Sequence, residues 1–240
     1  CIRDRNNCYP TKNYNIRTIA RGIDLNFFDP NNVKAHQVEL IIKEFNIDYD
    51  AIKILLAGRI TGWKGHKLLL QAISTIIKKT NHKFEIIFVG PDENYKLKTS
   101  LKNFANEHNL SKSLHFVGSR TDLNNFYSLA DLVISASTDP EAFGRISVEA
   151  QAMGKFVIAS NHGGSVETVN DGETGYLFEN NDVEDLCKKI IDAISNEKYK
   201  SDKTSEACIS HVREKYSKIK MCEETINFYE EVINLSLIHI

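Results

Sequence analysis

From residue 52 onward, short apolar runs alternate with longer amphipathic stretches. The runs at 52–57, 84–89, 114–117, 132–136, 156–159 and 175–178 are rich in Ile, Val and Phe and bounded by Gly or polar residues, which is the pattern of buried strands. Between them, Leu69, Ile73, Ile76 and Ile77 share one helical face within 66–79, and Leu97, Leu101, Phe104 and Ala105 do so within 95–109. Asp122 and Asp182 are placed as N-caps for helices over 123–130 and 183–195. Helix-length connections between buried strands predict a doubly wound α/β domain with a parallel sheet of about six strands. Ligands of such sheets bind beyond the carboxyl ends of the strands, so the strand-to-helix turns are where chemistry is expected.

Residues 1–50 are polar, broken by Pro10 and Pro30, with one helix expected near 33–45; they read as an interdomain linker and entrance helix. Residues 51–215 form the expected domain. Residues 216–240 hold a terminal helix over 217–235, with Met221, Thr225, Phe228, Val232 and Leu235 at helical spacing.

Composition narrows the classes. With 240 residues, 42% of them hydrophobic, the chain supports one substantial domain. The formal charge is −2, from 30 basic and 32 acidic residues interspersed, so no broad nucleic-acid surface is expected and any anion site must be local. Cys1, Cys8, Cys187, Cys208 and Cys222 are scattered, with no C-x-x-C pair, which fits a reducing cytoplasm. No apolar run reaches the roughly 18–20 residues that cross a bilayer. The start at Cys1 reads as a piece of a longer polypeptide.

The turn after the first strand is Gly58-Arg-Ile-Thr-Gly-Trp-Lys-Gly65. Its glycines allow close backbone approach, and Arg59 and Lys64 bring a planar fork and a movable point charge suited to a pyrophosphate. The common nucleotide fingerprints fail, because Ile60, Trp63 and Gly65 stand where they need Gly, Gly and a hydroxyl residue. Taken alone, the turn reads equally as a surface loop with two cations.

After the fourth strand, Glu141-Ala-Phe-Gly144 turns into a helix expected over about 145–153. The backbone N–H groups of Gly144, Arg145 and Ile146 lie at its start, an anion site that needs no side-chain charge. Glu141 and Glu149 are eight residues apart, on the order of 12 Å along a helix. That exceeds the roughly 6.5–9.5 Å of paired carboxylates in inverting glycosidases. It suits two hydroxyl-bearing groups on either side of a pyrophosphate. The plain readings are helix-terminal charge for Glu141 and a solvated position for Glu149.

Glu141-Ala-Phe-Gly-Arg-Ile-Ser-Val-Glu-Ala-Gln-Ala-Met-Gly154 resembles the E-x-F-G-x-x-x-x-E-A-x-A-x-G pattern of family four retaining glycosyltransferases with the GT-B fold. Phe156-Val-Ile-Ala-Ser160, Gly163-Gly164, Glu167, Asp171-Gly-Glu-Thr-Gly175, Gly58-Arg59 with Lys64-Gly65, and Arg21-Gly-Ile-Asp24 follow in family order, so the resemblance covers about 20–235. Arg21 departs from the family's usual Asn.

The resemblance implies the C-terminal, Rossmann-like donor domain of an enzyme that transfers a hexose from a UDP- or GDP-linked sugar. Arg59 and Lys64 would neutralise the diphosphate. Glu141, with backbone groups at Phe143 and Gly144, would hold the sugar, and Glu149 the ribose. Gly118 and Arg120 would border the base. No cofactor is implied, and no metal, since Asp139 is not part of a D-x-D. Trp63 and His162 stay outside the expected site. The acceptor, a glycan or a lipid-linked group, would belong to an N-terminal domain to which helix 217–235 crosses. Lipopolysaccharide or capsule synthesis at the inner membrane face is the setting implied. The alternatives are an epimerase-like enzyme, a sugar phosphorylase (whose cofactor-lysine motif is missing) and a non-catalytic module.

Overall fold

A computed structural model describes residues 17–92 and 94–237. Cys1, Cys8, Pro10 and the first sixteen residues of the expected linker lie outside them, as does the side chain of Leu235. The strands are β1 (Ile52–Ala57), β2 (Phe84–Val89), β3 (Leu114–Gly118), β4 (Leu132–Ser135), β5 (Val157–Ser160) and β6 (Gly175–Phe178). The helices are α1 (Ala35–Phe45), α2 (His66–Ile76), α3 (Tyr95–Glu107), α4 (Leu123–Leu129), α5 (Arg145–Ala152), α6 (Ser165–Thr168), α7 (Val183–Ser195), α8 (Asp202–Lys215) and α9 (Lys218–Leu237). All six strands are parallel, in the order β3-β2-β1-β4-β5-β6.

Alternation along β1 sends its residues to two cores. Ile54 and Leu56 pack with Ile86, Phe88 and Ile134 under α2, α3 and α7, through Leu69, Ile73, Leu101, Leu186 and Ile190. Leu55 and Ala57 pack with Ile87 and Val133 under α1, α4, α5 and α8, through Ile41, Ile42, Phe126, Val148 and Val212. The sheet is therefore covered on both faces, which is why its strands read as continuous apolar runs. Ile23, Phe28 and Ile47 join the second core, so the described part of the segment expected as a linker packs on the sheet.

Strands β1 and β4 are neighbours, and the chain leaves them in opposite directions, to β2 on one side and β5 on the other. Their following helices, α2 and α5, lie on opposite faces. This is the switch point at which a crevice opens beyond the strand ends.

The caps divide. The Asp182 carboxylate accepts from the N–H groups of Glu184 (2.8 Å) and Asp185 (3.0 Å) at the start of α7. Asp182→Ala is expected to cost about 1 kcal/mol, read as a lower urea midpoint with an unchanged slope; a wild-type midpoint would refute the cap. Asp122 precedes α4 but its side chain does not cap it. The carboxylate takes two hydrogen bonds from Arg120 instead, at 2.8 and 2.9 Å. A bidentate charge-assisted pair outcompetes a single backbone donor.

On α9, the Met221 sulfur accepts from the Gly22 N–H at 3.2 Å and Arg17 lies 5.8 Å from the Phe228 ring centroid, so two positions of the expected stripe meet the chain's own residues 17–22, while Val232 is exposed. Another set, Ile219, Ile226, Tyr229 and Ile233, is exposed. No helix among the described residues is long and apolar enough to cross a membrane.

Candidate functional site

The turns after β1 and β4 are joined to each other before they hold anything else. Gly65 sits at φ 75°, and a Cβ there would lie 1.9 Å from the Ala136 carbonyl oxygen. Only glycine permits both the left-handed backbone and this approach. The Thr138 N–H donates to the Trp63 carbonyl at 2.7 Å across the same junction. Behind the second turn, the Gly164 N–H donates to the Glu141 carbonyl at 2.7 Å, and a Cβ on Gly164 would meet the Phe143 carbonyl carbon at 2.4 Å. Glycines at 65, 163 and 164 thus let three loops pack backbone to backbone.

The turns after β1 and β4 help wall a cavity of about 620 Å³, which Arg59, Trp63, Lys64, Glu141, Arg145 and Glu149 line together. The Lys64 ammonium donates to Glu141 Oε1 at 2.6 Å and lies 4.4 Å from the Trp63 ring centroid. The Ser137 hydroxyl donates to the same carboxylate oxygen. The Lys64 and Glu141 side chains are only 13% and 11% exposed, so their pairing is weakly screened. Arg59 is exposed at the cavity wall and makes no side-chain hydrogen bond or ion pair among the described residues.

Glu149 is 3% exposed, which corrects the plain reading of a solvated helix position. Its Oε1 accepts from Arg145 Nε at 2.5 Å and its Oε2 from the Tyr127 hydroxyl at 2.9 Å. Burial raises the Glu149 pKa, while the hydrogen bonds from Arg145 and Tyr127 work against that rise. Burial and the Glu149 charge push the Tyr127 phenol well above its ordinary value, so it stays a donor. Between the two carboxylates α5 begins at Gly144 (φ 78°) with no capping side chain, leaving first-turn N–H groups without a side-chain acceptor.

The other expected residues have different surroundings. Arg120 lines the cavity but is held by Asp122 and by Glu44 at 3.2 Å. Gly118, at φ 80°, ends β3, and its carbonyl accepts from the Gly90 N–H at 2.9 Å; the neighbouring Ser119, with Val89, Pro91 and Leu123, forms that wall. Phe143 turns away, packing edge-on against Tyr216 at 5.7 Å. Ile146 lines the cavity beside Arg145.

Three side chains here were not singled out from sequence as site residues. Tyr127 reads as core among Phe126 and Leu129. Ser137 shows only as a polar residue after a strand. Trp63, which the sequence offers as a pocket wall but more readily as a packed or surface aromatic, lines the cavity beside Lys64. His162 Nε2 lies 2.7 Å from the Ser137 carbonyl oxygen, which ties it to the Glu141 turn. His66, at the start of α2, is 1% exposed; burial, then the Lys64 charge, lowers its pKa to about 4, so it is neutral at pH 7. Among the described residues no cluster of His, Cys, Asp or Glu could hold a metal ion.

Cations and carboxylates thus stand at the switch point of a doubly wound sheet, where folds of this kind bind their ligands. The chain belongs to the glycosyl transferases group 1 family, whose model matches residues 37–215. It is 34% identical over 171 residues to the lipopolysaccharide 1,2-N-acetylglucosaminetransferase of Salmonella typhimurium, a match covering 68% of this chain and 45% of that protein. A glycosyltransferase structure from Rickettsia africae superposes with a TM-score of 0.83 at 32% identity, over 93% of this chain and 60% of that one. An Anabaena protein solved with UDP and glucose shares the fold at 21% identity, with a TM-score of 0.79 over 89% of this chain and 56% of that one. The chain therefore spans about half the length of these proteins. The six-stranded parallel sheet is the one these GT-B glycosyltransferases carry, as the sequence resemblance implied.

Proposed function

We propose that the chain is the donor-binding part of a retaining glycosyltransferase that moves a hexose-type sugar from a nucleotide diphosphate sugar to an acceptor hydroxyl. The observation that carries this reading is that one cavity is lined by the Lys64–Glu141 pair, by the Arg145–Glu149 pair and by Arg59, with an uncapped helix start beside Arg145. A diphosphate at the helix start would meet oriented N–H groups together with Arg59 and Lys64. Those cations would stabilise the negative charge that grows on the leaving diphosphate. Glu141 would accept from the transferred sugar's hydroxyls and Glu149 from the ribose. With no side chain read as a nucleophile, retention would follow if the leaving phosphate takes the acceptor proton on the face it departs from.

The acceptor, a glycan or lipid-linked group, would be held by a preceding domain, against which the exposed Ile219, Ile226, Tyr229 and Ile233 of α9 are suited to pack. The Salmonella relative's name favours lipopolysaccharide assembly. The Anabaena complex makes UDP the first nucleotide to test, with GDP beside it. Calorimetric titration of the 240-residue chain is expected to show one saturable site for one of the two. Absence of binding by both would overturn the reading.

A further inference from the structure

Glu149 is gripped from two sides by groups that differ in their freedom to leave. Tyr127 is fully buried and reaches Oε2 at 2.9 Å. Arg145 reaches Oε1 at 2.5 Å from one turn earlier on α5, yet its side chain is 61% exposed. Under the donor-binding reading, on which this inference rests, a ribose hydroxyl approaching Glu149 meets the Arg145 guanidinium already on the outer oxygen. Each ligand contact with Oε1 competes with a charge-assisted hydrogen bond, among the stronger kinds in a protein.

We infer that Arg145 is an exchangeable partner of Glu149: ribose hydroxyls take its place on Oε1, and its guanidinium passes to the donor's diphosphate. Arg145 is the first residue of α5, beside the Gly144 helix start where that diphosphate would lie, so a side-chain rotation suffices and no backbone need move. Tyr127 keeps Oε2 fixed during the exchange. A buried carboxylate that loses its cation is costly unless hydroxyls replace it, and a displaced guanidinium needs a new anion. Ribose and diphosphate each supply what the other's arrival disrupts. The two halves of the nucleotide are thereby coupled, and a nucleoside without phosphates must break the Arg145–Glu149 pair with no compensating anion.

The coupling predicts effects of opposite sign. Dissociation constants for uridine and UDP, and for guanosine and GDP, are measured by ligand-observed NMR on the wild-type chain and Arg145→Ala. Removing Arg145 is expected to tighten nucleoside binding several-fold, because the competitor is gone. It is expected to weaken nucleoside diphosphate binding about tenfold, the size of one charge-assisted hydrogen bond. Arg145→Met, which keeps the aliphatic stem, carries the same test if the alanine variant does not fold. Weakening of both ligands together would make Arg145 a structural support. An unchanged nucleoside with a weakened diphosphate would make it an ordinary phosphate ligand. Unchanged diphosphate binding would remove it from the site. Each of these overturns the exchange while leaving donor binding intact, whereas no binding of any nucleotide to wild type overturns both.

Discussion

Lys64→Ala is expected to lower affinity for the nucleoside diphosphate roughly hundredfold, and transfer by the whole enzyme at least as much. Lys64 and Glu141 are mutually paired at 2.6 Å, and both side chains are almost closed off from solvent. Truncating one partner of such a buried pair costs about 3–5 kcal/mol of stability, from the carboxylate left behind; the loss of affinity comes from the cation missing beside the diphosphate. Without Lys64, Glu141 keeps the Ser137 hydroxyl but faces an incoming diphosphate as an uncompensated like charge. The loss should therefore exceed that of Arg59→Ala, since Arg59 is exposed and engages no carboxylate among the described residues. Calorimetry on the two variants side by side checks the order. Equal losses, or near-wild-type binding by Lys64→Ala, would refute the role given to the pair.

The second large effect belongs to Glu149→Gln. The amide has one accepting oxygen where the carboxylate has two, so it cannot serve Tyr127 and a ribose from opposite sides. A fall in affinity of about tenfold or more is expected. The pH dependence gives a second readout. Burial raises the Glu149 pKa in the folded protein. On acidification it therefore protonates earlier than an ordinary glutamate, and wild-type affinity should decline through that range while the Gln variant stays flat. The sign for stability is the reverse. A carboxyl whose folded pKa is raised disfavours folding above that pKa and favours it below. Glu149→Gln should therefore lose nucleotide affinity at neutral pH without losing thermal stability. A variant that binds like wild type, or that shows the same acid limb, would exclude Glu149 as the group responsible.

The contrast between Glu149 and Tyr127 shows what the amino-acid pattern could reveal. Glu149 follows a helix start beyond a buried strand, a place where parallel sheets keep their chemistry, so topology alone drew attention to it. Tyr127 comes from α4, its partner is 22 residues away in the chain, and its neighbours Phe126 and Leu129 are core. Nothing local separates such a tyrosine from a packing residue.

The same limit applied to the fold. The strands were legible because burial on both faces leaves unbroken Ile, Val and Phe runs. Helix α8 is not legible in the sequence, because its inward face mixes Thr204 and His211 with Cys208 and Val212, which blurs the apolar stripe. Asp122 reads as a cap because it precedes a helix; the competing partner, Arg120, is visible only once the guanidinium is seen to reach forward two residues.

The contact of Gly65 with Ala136 has a bearing on how such a site can diversify. Because the β1 turn lies flush against the β4 turn, neither can gain or lose a residue without lifting the other and separating Lys64 from Glu141. Loop length, the usual route to new ligand preference in α/β domains, is closed here. A change of ligand would have to come from side chains on a fixed frame, at positions such as Trp63, Ser119 and Leu123, whose replacement alters the cavity wall and leaves the joined backbone of the two turns where it is.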